Sequence, residues 1–73
     1  MKKAYKLRDL DCANCAAKME NAINKLPEVE SATVSFLTQK MTVNYADGAD
    51  EATVLAAIKK LIRKVEPDCE VLA

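Results

Sequence analysis

Cys12 and Cys15 stand three residues apart in the stretch Asp11-Cys12-Ala13-Asn14-Cys15, with a carboxylate directly before the first thiol. A cysteine in a loop, followed three residues later by one in the first turn of a helix, directs both sulfurs at one spot beyond the helix N-terminus. There the unpaired N–H groups and the positive dipole end favour thiolate over thiol. Thiolates bind soft metals. The same spacing also serves thiol–disulfide exchange, so the pair by itself leaves two chemistries open beside plain packing. Asp11 bears on the choice of metal. Two thiolates satisfy monovalent copper in near-linear geometry, whereas zinc or cadmium takes about four donors and accepts a carboxylate among them. From spacing alone, a helix cap or a solvated charge accounts for Asp11 equally well.

The composition narrows the classes. The 73 residues, 51% of them apolar, allow one small core, built without Trp from Val, Ile, Leu, Ala and Met. Residues 1–73 are expected to form one domain. Eleven basic residues balance eleven acidic ones, so no charge excess points to nucleic acid or to an anionic membrane, and Lys2, Lys3, Lys6 and Arg8 read as a solvated strand face. No apolar run approaches the ~20 residues of a membrane helix, and the N-terminus has charges without the apolar stretch expected of a signal peptide. A soluble chain without membrane insertion is expected. Three cysteines, two of them at C-x-x-C spacing, fit a reducing compartment, which points to the cytoplasm. Histidine is absent, removing the usual general base near neutral pH, and no catalytic centre is legible.

The elements that must position the thiols follow from periodicity. Residues 5 to 8 alternate, with Tyr5 and Leu7 on one side, as in a strand covered on one face. A helix is expected from near Ala13, with the stripe Cys15, Met19, Ala22, Ile23 and Leu26, ended by Pro27. Ala32, Val34 and Phe36, then Met41, Val43 and Tyr45, form a hairpin that reverses at Leu37-Thr38-Gln39-Lys40. Asp50 is the expected N-cap of a second helix reaching about Lys64, with the stripe Val54, Ile58, Leu61, Ile62 and Val65. This stripe repeats the first after a shift of 39 residues, which places Val54 opposite Cys15 and Glu51 opposite Cys12. A last strand, Cys69 to Leu72, follows Pro67.

Two βαβ halves joined through a hairpin predict an α+β, ferredoxin-like βαββαβ sandwich, a four-stranded antiparallel sheet with two helices on one face. Its connectivity brings the loop after the first strand, the hairpin near Thr38 and the loop before the last strand to one end. Asp11, Cys12 and Cys15 are thereby expected to share an end with Glu66, Asp68 and Cys69. Glu66 and Asp68 are placed to offer oxygen, and Glu66 is favoured as a further ligand. Cys69, on the same strand face as Val71, is expected to be buried. Met19 and Met41 lie on core stripes and read as packing.

The segment from Leu10 to Phe36, with the βαββαβ pattern over nearly the whole chain, resembles the heavy-metal-associated domain of soft-metal P-type ATPases and their soluble metallochaperones. The Asp-Cys-Ala-Asn-Cys form is similar to the subgroup at the N-terminus of zinc-, cadmium- and lead-transporting ATPases, while copper domains usually show Met-Thr-Cys. The resemblance implies that Asp11, Cys12 and Cys15 are metal ligands for Zn2+, Cd2+ or Pb2+, with Cu+ less favoured. It also implies that the domain passes metal toward a transport site in the membrane portion of an ATPase, or exchanges it with a metal-donor protein. Asp9 and Leu10 stand where the family commonly has Gly-Met, and Leu10 can fill the apolar slot under the loop. A monomer is expected, with a metal-bridged dimer as the alternative. The rival readings are a free-standing copper or zinc metallochaperone and a C-x-x-C thiol–disulfide oxidoreductase. A small-molecule regulatory domain would leave the thiols unexplained.

Overall fold

Alternation of apolar and polar residues gives four strands, and 3.6-residue periodicity gives two helices. The computed structural model describes residues 1–72. In chain order they are β1 (Lys2–Arg8), α1 (Ala13–Asn24), β2 (Val29–Ser35), β3 (Lys40–Tyr45), α2 (Glu51–Val65) and β4 (Glu70–Leu72). The strands form one antiparallel sheet in the order β2-β3-β1-β4, with Leu7 opposite Val71 and Tyr5 opposite Met41. This is the expected ferredoxin-like sandwich. Both βαβ halves cross over so that the two central strands are β1 and β3.

The helices bury the stripes that periodicity assigned to them. Met19 and Ile23 of α1 and Ile58 and Ile62 of α2 are fully buried, and they are related in pairs by the 39-residue shift. Each contributes roughly 1.5–3 kcal/mol of apolar transfer free energy. Against them the sheet sets Leu7, Val29, Ala32, Val34, Met41, Val43 and Tyr45. Tyr45 keeps its hydroxyl satisfied by a hydrogen bond of 2.8 Å to the Tyr5 hydroxyl.

The structure revises several boundaries. β1 begins at Lys2 rather than Tyr5, because residues 2–6 pair with β3. α1 ends at Asn24, and the N–H groups of Lys25 and Leu26 donate to the carbonyls of Ala22 and Ile23 in tighter turns, so the chain has left the helix before Pro27. The buried stripe of α1 includes Ala16, while Cys15, Ala22 and Leu26 sit half-buried at its margin. Phe36 lies in the turn after β2, still packed against the core. Cys69 precedes β4, its N–H bonded to the Glu66 carbonyl at 3.1 Å in a turn. It is buried, as its shared face with Val71 implied.

Candidate metal centre

The loop that carries the thiols is built residue by residue where β1 gives way to α1. Asp9 turns the chain with a left-handed φ of 61°, a region that aspartate tolerates better than most residues. Leu10 then plunges into the core, 1% exposed, filling the slot under the loop. Asp11 lies exposed, and Cys12 has extended backbone (φ −135°, ψ 122°) as the N-cap of α1.

Cys12 does more than ride on the loop. Its Sγ accepts the N–H of Cys15 at 3.3 Å, performing at α1 the task that the Asp50 carboxylate performs at α2 for the N–H of Ala52. The Cys15 thiol also faces this sulfur. Together the thiol and N–H of Cys15 hold the Cys12 thiol below its ordinary value. The same contact, with partial desolvation, pushes the Cys15 thiol up. Cys12 is therefore the more readily ionised thiol of the pair, and Cys15 the less. A soft cation competes with the proton at either.

Two long-range clasps hold the loop in place. From the hairpin, Gln39 Nε2 donates to the Leu10 carbonyl at 2.7 Å and to the Phe36 carbonyl at 2.8 Å, while Gln39 Oε1 accepts the Leu10 N–H at 3.1 Å. From the end of α2, Glu66 Oε1 accepts the Asp11 N–H at 3.3 Å. Glu66 Oε2 is buried and has no hydrogen-bond partner. A carboxylate oxygen left without a partner has lone pairs free to accept a further bond. Its charge also opposes ionisation of Cys12, Cys15 and Cys69.

The expected site residues thus occupy one end of the sandwich. Cys12 and Cys15 are in contact, and Glu66 is bonded to the backbone of Asp11. Asp68 is exposed. Cys69 is 1% exposed, and its thiol is pushed up to about 11, first by burial and then by the charges of Glu66, Asp9 and Asp11. Among the described residues, no three Cys, Asp or Glu side chains converge on one point closely enough to hold an ion as they stand.

Sequence reasoning missed Gln39. Its only local signal is its place in a tight reversal, where it takes a φ of 54°. It also missed Cys12 as a helix cap, a task usually given to oxygen.

Comparison with known proteins adds a lineage to this geometry. The model of the heavy-metal-associated domain matches residues 4–69. The cadmium, zinc and cobalt-transporting ATPase of Bacillus subtilis (strain 168) is 34% identical over 67 residues, 92% of this chain and 9% of the relative. The probable copper-importing P-type ATPase A of Enterococcus hirae is 37% identical over 62 residues, 85% of this chain and 7% of the relative. The chain therefore spans less than a tenth of the length of these curated relatives. Among solved structures, the N-terminal domain of a potential copper-translocating P-type ATPase from Bacillus subtilis, in its Cu(I)-loaded state, superposes with a TM-score of 0.68. It is 31% identical and covers 82% of this chain and 76% of that one.

Proposed function

We propose that this chain, which belongs to the heavy-metal-associated domain family, binds a zinc, cadmium or lead ion through Cys12, Cys15, Asp11 and Glu66. It passes that ion along a cytoplasmic route to the transport site of a metal-exporting P-type ATPase. The observation that carries the divalent reading is the unpartnered Oε2 of Glu66, a residue whose other oxygen takes the Asp11 N–H and whose charge acts on both thiols. Two thiolates and two carboxylates bring four negative charges to the ion. Against a divalent cation two charges are left over, and against Cu+ three, with Lys18 the one cation among the groups that act on the two thiols. The ion is cargo, so a loop set on the surface suits it better than an enclosed cage.

The ligand set assembles in order. Cys12, already biased toward thiolate, takes the cation first. The bound charge then displaces the proton of Cys15, three residues away on the first turn. Asp11, exposed and next to Cys12, supplies oxygen by a side-chain rotation, and Glu66 supplies it from the orphaned oxygen. Transfer to a partner reverses these steps one donor at a time, each lost bond being replaced by a partner thiolate.

Copper is the second reading. The sulfurs alone are in contact as folded, and two thiolates suffice for Cu+. Competition titrations with a chelator, for each ion and for Asp11→Ala, separate the two. The divalent reading expects Asp11→Ala to weaken zinc or cadmium by at least tenfold, about 1.4 kcal/mol, and to leave Cu+ affinity unchanged. Undiminished zinc affinity in both Asp11→Ala and Asp11→Ala/Glu66→Gln overturns it.

A further inference from the structure

The two edges of the sheet are finished differently. Along the outer edge of β2, side chains of α1 reach across and take up the free backbone groups. Asn24 accepts the N–H of Ala32 at 2.8 Å and donates to its carbonyl at 3.0 Å, and Glu20 accepts the N–H of Val34 at 2.8 Å. An edge whose groups are already bonded cannot template another strand. At the opposite edge, β4 pairs with β1 on one side, and among the described residues no group is hydrogen-bonded to the backbone of Glu70–Leu72 from the other.

Beside this open edge runs a groove of about 400 Å3 between α2 and β4. Lys59, Lys60 and Arg63 line one wall, and Cys69, Glu70 and Val71 line the other. The three cations are exposed, and among the described residues none is in an ion pair. The single carboxylate in the groove, Glu70, is already engaged by Arg8 from β1. The groove is therefore cationic.

We infer that the β4 edge and this groove receive an extended acidic segment of a partner polypeptide, which joins the sheet as a fifth strand. The inference is independent of the metal reading. Side chains on one face of a strand recur about every 6.6–6.8 Å, and Lys59 and Arg63, one turn apart, are separated by about 6 Å of helix rise. Carboxylates at alternate positions of an added strand therefore fall in step with the cations of α2. A second copy of this chain fits poorly. Two-fold pairing of β4 with itself would set two rows of Lys59, Lys60 and Arg63 against one another. Since β4 is three residues long, backbone bonds are few and the charges must carry the affinity, so binding falls as salt rises.

The test uses the 15N-labelled chain and short synthetic peptides. One alternates glutamate with valine, one has the same composition with the glutamates in a single block, and one is the alternating peptide N-methylated at every second residue. The expected result is that the alternating peptide shifts the amide signals of Lys59–Arg63 and Glu70–Leu72 and slows amide exchange in β4. The block and N-methylated peptides should bind at least tenfold more weakly, as should the alternating peptide to Lys59→Glu/Arg63→Glu with unchanged circular dichroism. Equal binding of the block or N-methylated peptide overturns strand addition. Shifts confined to the Cys12 loop overturn the location, and concentration-dependent dimerisation through β4 without peptide overturns the choice of occupant.

Discussion

Gln39 grips Leu10 by both of its backbone groups, across 29 residues of sequence, and so fixes the start of the loop that ends in Cys12. Removing that side chain leaves a part-buried N–H and carbonyl without partners, each costing about 1–3 kcal/mol when water cannot replace the bond. Gln39→Ala should lower the melting temperature by about 4–8 °C for each kcal/mol lost in a chain of this size. It should also weaken metal binding, because the sulfurs lose their fixed approach. Thermal melts and zinc titrations of the one variant check both. A variant as stable as the parent would show that the grip is incidental.

The two thiols should separate in mutagenesis. Cys12→Ser keeps an N-cap acceptor, and serine is a better cap than cysteine, so the metal-free protein should be no less stable than the parent. Cys15→Ser puts a hydroxyl at the core margin and should cost about 1 kcal/mol. Both should lose most metal affinity. Urea denaturation of the metal-free variants checks the order, and circular dichroism should show the parent folded without metal, since the stripes of both helices and the sheet are buried against one another with no metal bound.

Asp9 stands at a left-handed position where the family commonly has glycine. Asp9→Gly should stabilise the chain by up to about 1 kcal/mol, because glycine adopts this φ at no steric cost. Asp9→Val should destabilise it by more, as a β-branched residue resists that conformation. Equal melting of the two variants would contradict the backbone argument.

Alkaline conditions should unfold the protein before they titrate its core. Burial pushes the Cys69 thiol up to about 11, and burial with the Tyr5 hydrogen bond raises the Tyr45 hydroxyl above its usual 10.0. Both groups are acids held neutral by the fold, so the folded state keeps protons that the unfolded state releases. Their stabilising effect is complete below the unfolded values near 9.0 and 10.0 and declines as pH rises through them. In a Cys12→Ser/Cys15→Ser background, which removes the loop thiols, urea midpoints should hold from pH 7 to about 8.5 and fall above it. A flat profile to pH 11 would refute the assignment.

The sequence by itself determined the layers of this fold. The period of Met19 and Ile23 and its echo at Ile58 and Ile62 named the buried faces, and the βαββαβ order brought Glu66 and Cys69 to the end that holds Cys12 and Cys15. Asp50 was legible as a cap because its carboxylate and the N–H of Ala52 that donates to it lie two residues apart. What tertiary structure alone decided is the polar wiring: Gln39 on Leu10, Glu66 on Asp11, and Asn24 and Glu20 on the edge of β2. It also decided that Ala16 enters the core while Cys15 stays half-buried at its margin. Apolar burial repeats along each element and so leaves a period in the sequence. A single hydrogen bond between distant segments depends on where a helix lands on the sheet, to within a few tenths of an ångström, and leaves no period to read.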